Sequence, residues 1–270
     1  MKPTGSTFAK WFEAPELLEI LIIRKGLGMM QVGFKSDKGL RRGNNEDACF
    51  VMPKEGVFII ADGVGGGASG EIASRTTVSM IAEYVRNNPP LGITDVATAK
   101  AYFLPCLQEI NGRIFQLAEK YIENQGMATT VVVGHVNGKR GYFANIGDSR
   151  AYIFRKGKLR QVTEDHSYVN DLVRTGVITE EDAQTHAKKN MITKALGGDV
   201  VCEPDFYQAN IETGDVILLC TDGLYGEVEE EAMISILSSG ESMTQICQDL
   251  VKKANQRGGH DNITVICIKV

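Results

Sequence analysis

Three times along this chain an apolar run stops at an aspartate with a glycine beside it: FIIADG at 58–63, FANIGD at 143–148 and ILLCTDG at 217–223. The runs are rich in β-branched and aromatic residues and read as strands. A strand fixes where its last side chain points, and a neighbouring glycine lets the main chain approach closely, so that a carbonyl can also face an ion. Two further acidic points stand just before strands: NNED at 44–47, with Glu46 and Asp47, and GGHDN at 258–262, with Asp261. Asp-Gly is also ordinary hairpin-turn chemistry, and any one of these sites alone fits that reading. The set does not, because the runs before Asp62 and Asp222 lead into helix-like segments rather than return strands. If the fold gathers Glu46, Asp62, Asp148, Asp222 and Asp261, their mutual repulsion calls for cations. An all-oxygen donor set points to Mg²⁺ or Mn²⁺ rather than zinc.

Strands are expected at 47–52, 57–61, 130–136, 141–146, 150–155, 216–220 and 263–269. The pair 130–136 and 141–146, joined across Asn137 and Gly138, has hairpin spacing, so the sheets should be largely antiparallel. Helical spacing is clearest in 95–121, where Ala99, Phe103, Leu107, Ile110, Ile114, Leu117 and Tyr121 form one stripe and Pro105 should kink or divide the helix. A second helix over 69–86 carries Ala73, Thr77, Met80, Ile81 and Tyr84 on one face. A third starts at Ser242, with Gln245 completing a capping box. Long helices fall between groups of strands rather than after each one. That favours a layered α+β sandwich over a doubly wound parallel sheet.

Composition narrows the function classes. With 43% hydrophobic and 23% charged residues, a 270-residue chain can bury a sizeable core without disulfides or structural metals. A net charge of −5 argues against nucleic-acid and anionic-membrane partners. None of the six cysteines (49, 106, 202, 220, 247, 267) forms a C-x-x-C pair, and several sit in apolar runs, as reduced cysteines of a cytoplasmic protein do. The most apolar N-terminal stretch, LLEILII at 17–23, follows Glu13 and Glu16 and is broken by Glu19, so it reads neither as a signal peptide nor as a membrane span.

The loop DGVGGGASG offers a competing reading, since Gly63, Gly65 and Ala68 fit a dinucleotide fingerprint with Glu83 twenty residues after Gly63. Asp62 would then repel the pyrophosphate, and Glu83 falls within a helix pattern instead of at a strand end. No Gly-Lys-Ser/Thr follows, which excludes a P-loop.

Seven segments, taken in order, resemble the bacterial members of the metal-dependent protein phosphatase family of the type 2C kind. They are RRGNNED (41–47), ADGVGGGASGE (61–71), MATTVVV (127–133), ANIGDSRAYIFRKGKLRQVTEDHS (144–167), ITKALGG (192–198), LLCTDGL (218–224) and GGHDNITVI (258–266). The resemblance covers roughly 30–270, so 29–270 is expected to be the catalytic domain and 1–28 an extension outside the match. It implies an α+β fold that is a four-layer α-β-β-α sandwich of two mainly antiparallel sheets flanked by helices, with a metal cluster at one edge. Asp62 would be shared by two ions, with the Gly63 carbonyl and Glu46 on one of them. Asp222 and Asp261 would hold the other, and Asp148 with Asp222 would recruit a third, weaker one. Asp47 would orient water held by the metals, Arg42 would bind the substrate phosphate, with Arg41 as the alternative, and Asn262 would support Asp261. Two close metals lower the pKa of a shared water and stabilise charge during in-line displacement at phosphorus, while Arg42 can clamp phosphate oxygens bidentately.

The resemblance further implies hydrolysis of phosphoserine and phosphothreonine on proteins, opposition to a cognate serine/threonine kinase, and a monomer. Val64 stands where some members carry a histidine assigned as general acid, and neither His166 nor His260 is expected to replace it. Residues 166–191 read as short helices, with Gly176 at a helix end and Thr179 with Asp182 at a new start; the resemblance places a flap there. Trp11, Phe12, Leu17, Leu18, Leu21 and Ile22 could form a small amphipathic helix. A non-catalytic interaction module with the same fold would be expected to have lost these acids, and all of them are present.

Overall fold

The run that ends in Asp62 is buried on both of its faces, and that property generates the layers. The structure is a computed structural model that describes residues 23–24, 29–66 and 69–270. Its strands are β1 (Ile23–Arg24), β2 (Met29–Asp37), β3 (Asp47–Met52), β4 (Val57–Val64), β5 (Ala128–Thr129), β6 (Val131–Asn137), β7 (Arg140–Ile146), β8 (Arg150–Arg155), β9 (Lys158–Gln161), β10 (Asp205–Asn210), β11 (Val216–Cys220) and β12 (Ile263–Lys269). Its helices are α1 (Ser69–Asn87), α2 (Val96–Lys120), α3 (Tyr168–Arg174), α4 (Glu180–Thr185), α5 (Asp222–Tyr225), α6 (Glu230–Leu237) and α7 (Met243–Arg257).

One sheet runs β1-β2-β12-β11-β8-β9 and the other β10-β7-β6-β4-β3, with β5 paired to β4; every pairing is antiparallel. Alternation then sorts the side chains. In β4, Val57, Ile59 and Ala61 join the core beneath α1 and α2, whereas Phe58 and Ile60 face the other sheet. In β11, Ile217 and Leu219 enter the same inter-sheet core, while Val216, Leu218 and Cys220 pack under α6 and α7. Three stacked cores separate four layers, the expected α-β-β-α sandwich.

The elements differ from expectation in specific ways. β4 continues to Val64, so Asp62 lies inside the strand, opposite Asp47. The β6–β7 turn is centred one residue later than expected, on Gly138 and Lys139, with Asn137 paired to Arg140 and Gly138 at φ +62°. Pro105 does not divide α2, which runs unbroken through it; Pro105 and Ala101 are both exposed, so water can satisfy the carbonyl that the missing N–H would have bonded. At α7, Ser242 Oγ accepts from the Gln245 N–H, but no capping box closes, because the Gln245 side chain bonds Asp249 instead. α3 and α4 form the short-helix excursion, with Gly176 at φ +73° and a complete Thr179–Asp182 capping box. The N-terminal helix expected around 11–22 lies outside the described residues. Among the described residues no helix is long and apolar enough to cross a membrane, and all six cysteines are free thiols.

Candidate metal centre

Antiparallel register collects the acidic points at one end of both sheets. Asp47 pairs with Asp62, Val131 with Ile146, and Cys220 with both Val265 and Arg150. The residues just beyond those pairs, Glu46, Asp148, Asp222 and Asp261, therefore share that end with Asp62. Two glycines allow the close approach. A Cβ on Gly63 would stand 2.1 Å from the Gly70 carbonyl oxygen, and one on Gly223 would stand 1.9 Å from that of Asn262.

Each acid is held from a different direction. Asp47 is buried, and its Oδ2 accepts from Thr221 Oγ1 at 2.9 Å and Thr264 Oγ1 at 2.7 Å, both from the opposite sheet. The Asp62 main chain is pinned by Thr130 and Thr129: its N–H donates to Thr130 Oγ1, and its carbonyl accepts from Thr129 Oγ1. The Glu46 N–H donates to Asn262 Oδ1 at 2.8 Å, and Asn262 Nδ2 donates to the carbonyls of Lys38 and Asn44. The Asn262 side chain thus supports Glu46 and the 38–44 loop, while its backbone N–H donates to Asp261 Oδ1 at 2.7 Å. Asp148 follows Gly147, whose φ of +98° suits glycine, and the Asp148 carbonyl accepts from the Tyr225 hydroxyl at 2.9 Å. Arg42 is exposed and ion-pairs with Asp261 Oδ2 at 2.6 Å, with Asp62 and Glu46 also within its field. Arg41 is exposed too.

The electrostatics are those of a cluster that resists full ionisation. Burial, reinforced by Asp47, Asp222, Asp148 and Asp261, pushes the Asp62 carboxyl well above its usual range. Burial raises Asp47 to about 7 even though two threonine hydroxyls lower it, and raises Asp148 to about 7 with Asp222 adding to the effect. Asp222 rises to about 6 through burial and Asp261, despite a hydrogen bond to Asp62.

These residues fit divalent cations by donor chemistry. All the donors are oxygens, and buried Asp47 Oδ1 and Asp222 Oδ1 find no hydrogen-bond partner. Among the described residues no three His, Cys, Asp or Glu side chains converge as a finished cage. Arg42 takes part of the cationic role at Asp261.

The other motif residues resolve plainly. His166 Nε2 is 2.7 Å from Asp205, and His260 Nδ1 is 2.7 Å from Glu227. Val64 is exposed, and Glu83 lies inside α1, not at a strand end as a ribose-binding acid would. Sequence reasoning missed Thr130, Thr221, Thr264 and Tyr225, whose partners depend on strand register.

The family profile described as Protein phosphatase 2C matches residues 40–263. The chain is 36% identical over 243 residues to the serine/threonine phosphatase stp of Listeria innocua, covering 89% of this chain and 96% of that one. Its fold is similar to the serine/threonine phosphatase PstP/Ppp of Mycobacterium tuberculosis, with a TM-score of 0.80, 33% identity, and 89% and 98% of the two chains covered. A structure of the PstP catalytic domain in complex with 2 manganese ions matches with a TM-score of 0.77 and 33% identity, covering 89% of this chain and 97% of that one.

Proposed function

The chain belongs to the protein phosphatase 2C family, and from that membership we propose that the acidic end of its two sheets is the catalytic centre of a metal-dependent serine/threonine protein phosphatase. The observation that carries this reading is the gathering of Asp47, Asp62, Asp148 and Asp222 at one sheet end, where Asp222 adds to the rise of the other three and Asp261 adds to its own.

In this assignment Glu46, Asp62 and the Gly63 carbonyl would hold one Mg²⁺ or Mn²⁺ ion, and Asp62, Asp222 and Asp261 would hold another. Asp148 and Asp222 would hold a third, weaker one. Bound there, the ions supply a water of lowered pKa and neutralise charge that builds on the phosphoryl oxygens. The chain's own groups do the rest. Arg42 stands at the open side of the cluster, where its guanidinium can exchange Asp261 for two oxygens of the substrate phosphate. Asp47, with Oδ2 fixed by two threonines, has Oδ1 left to orient the attacking water. His166 and His260 are each engaged with a carboxylate, and Val64 has no proton to give. None of the three is assigned as the proton donor to the leaving serine or threonine oxygen.

Residues 29–270 are the catalytic unit in this reading, and 166–191 are a flap that borders the substrate. The substrates are phosphoproteins made by a cognate serine/threonine kinase, and the six free thiols suit a cytoplasmic setting. Phosphopeptide hydrolysis should need added Mn²⁺ and stop with chelator. Turnover that survives complete metal removal, or none with full loading, would overturn the reading.

A further inference from the structure

His166 grips the turn that carries Asp148. Its backbone N–H donates to the Gly147 carbonyl at 3.0 Å, and its ring Nδ1 accepts from the Gly147 N–H at 3.0 Å. A ring nitrogen that accepts carries no proton, so the proton of the neutral ring sits on Nε2. Nε2 donates to Asp205 Oδ2 at 2.7 Å, and Lys194 Nζ lies 3.5 Å from the same oxygen. The turn needs holding. Gly147 is left-handed at φ +98°, and a Cβ there would stand 2.6 Å from Thr130 Cβ. Its carbonyl also accepts from Asn145 Nδ2 at 3.2 Å, but the Nδ1 atom of His166 is the acceptor for its N–H.

We propose that His166, oriented by Asp205, is a positioning residue: it fixes the Gly147–Asp148 turn so that Asp148 can serve with Asp222 at the weaker ion site. The proposal rests on the assignment of Asp148 to metal binding. Its chemistry is that of a supporting partner that sets the direction of a ligand without touching the ion. Nothing in phosphoester cleavage itself asks for an imidazole here, yet the ring links the base of the 166–191 excursion to the acidic cluster through one backbone amide.

Two amides separate positioning from simple space-filling. In His166→Asn the side-chain oxygen falls near the place of Nδ1 and can accept from Gly147, while the Asp205 contact is lost. In His166→Gln the amide reaches toward the place of Nε2 and Asp205, and the Gly147 N–H loses its acceptor. Calorimetric titration of the full chain with Mn²⁺ should show the weakest binding step reduced about tenfold in His166→Gln and His166→Ala, the low end for a lost supporting partner. The tighter steps should be unchanged, and His166→Asn should keep the wild-type weak step. Nitrogen chemical shifts of the wild-type ring should report Nε2 protonated and Nδ1 bare.

A glutamine variant that binds every ion like wild type, or an asparagine variant that loses the weak step as fully as alanine, overturns the proposal. Should alanine fail to fold, the two amides decide. If Asp148→Asn abolishes the weak step while every His166 variant keeps it, the positioning role is wrong and the catalytic assignment stands. A wild-type chain with no Mn²⁺ isotherm defeats both.

Discussion

In one sheet the Asp62–Gly63 pair near the end of β4 lies beside Glu46 and Asp47, which open β3; in the other, Asp222–Gly223 follows β11 beside Asp261 and Asn262, which precede β12. Each half is braced by the opposite sheet. Threonines 221 and 264 hold Asp47, and Asn262 takes the Glu46 N–H. The halves differ in depth. Asp47 is buried with one orphaned oxygen, whereas Asp261 is partly exposed and already touches Arg42. In the assignment both halves supply ion ligands, and the open one is where Arg42 can also meet substrate.

The most severe way to break this arrangement is to neutralise one acid in each half. Asp62→Asn and Asp222→Asn should each lower turnover by more than about a hundredfold, beyond the cost of losing a supporting partner. Both should also lose Mn²⁺ affinity in calorimetry; unchanged affinity in either would remove that residue from the ligand set.

Next come the glycines that let each half close. Gly63→Ala and Gly223→Ala each drive a Cβ into backbone and should destabilise by about 3 kcal/mol, the upper end for overpacking, in denaturant unfolding. Gly43→Ala, with nothing within 4 Å of its Cβ, is the control and should be nearly neutral.

A third test uses pH on the metal-free chain. Asp47 and Asp148 rise from 3.8 to about 7 and Asp222 to about 6, so the folded state binds more protons than the unfolded chain between those values. Stability of the chelated protein should therefore fall as pH rises from about 4 to about 7. Added Mn²⁺ should raise the melting temperature most at the neutral end. A chelated melting temperature that rises across this window would contradict the shared burial of these carboxyls.

The smallest effect sharpens the contrast. Arg42→Ala should raise KM for a phosphopeptide about tenfold, as loss of charge-assisted hydrogen bonds implies. It should leave Mn²⁺ affinity no weaker, and Arg42→Lys should recover only part of the loss. Equal losses of substrate and metal binding would erase the distinction between the two halves.

The strands at 47–52, 150–155, 216–220 and 263–269 were legible to the residue because they carry apolar side chains on both faces. β9 (KLRQ) and β10 (DFYQAN) were not, since edge strands keep polar, half-exposed side chains. β2 hid behind its own composition; its Gly33 makes room for the backbone of Met243 in α7 instead of adding an apolar side chain. The acids stood out because glycine and strand endings mark them locally. Their supports did not: the Arg42–Asp261 pair spans 219 residues and the Thr264–Asp47 bond 217, distances that only the sheet register closes.

The most direct measurement is a crystal structure of the chain grown with Mn²⁺, its ions located by anomalous scattering. The account predicts two strong peaks flanking Asp62, one contacting Asp222 and Asp261 and the other the Gly63 carbonyl and Glu46, with Arg42 released from Asp261. Strong peaks elsewhere, or fully loaded protein with none touching Asp62, would contradict it.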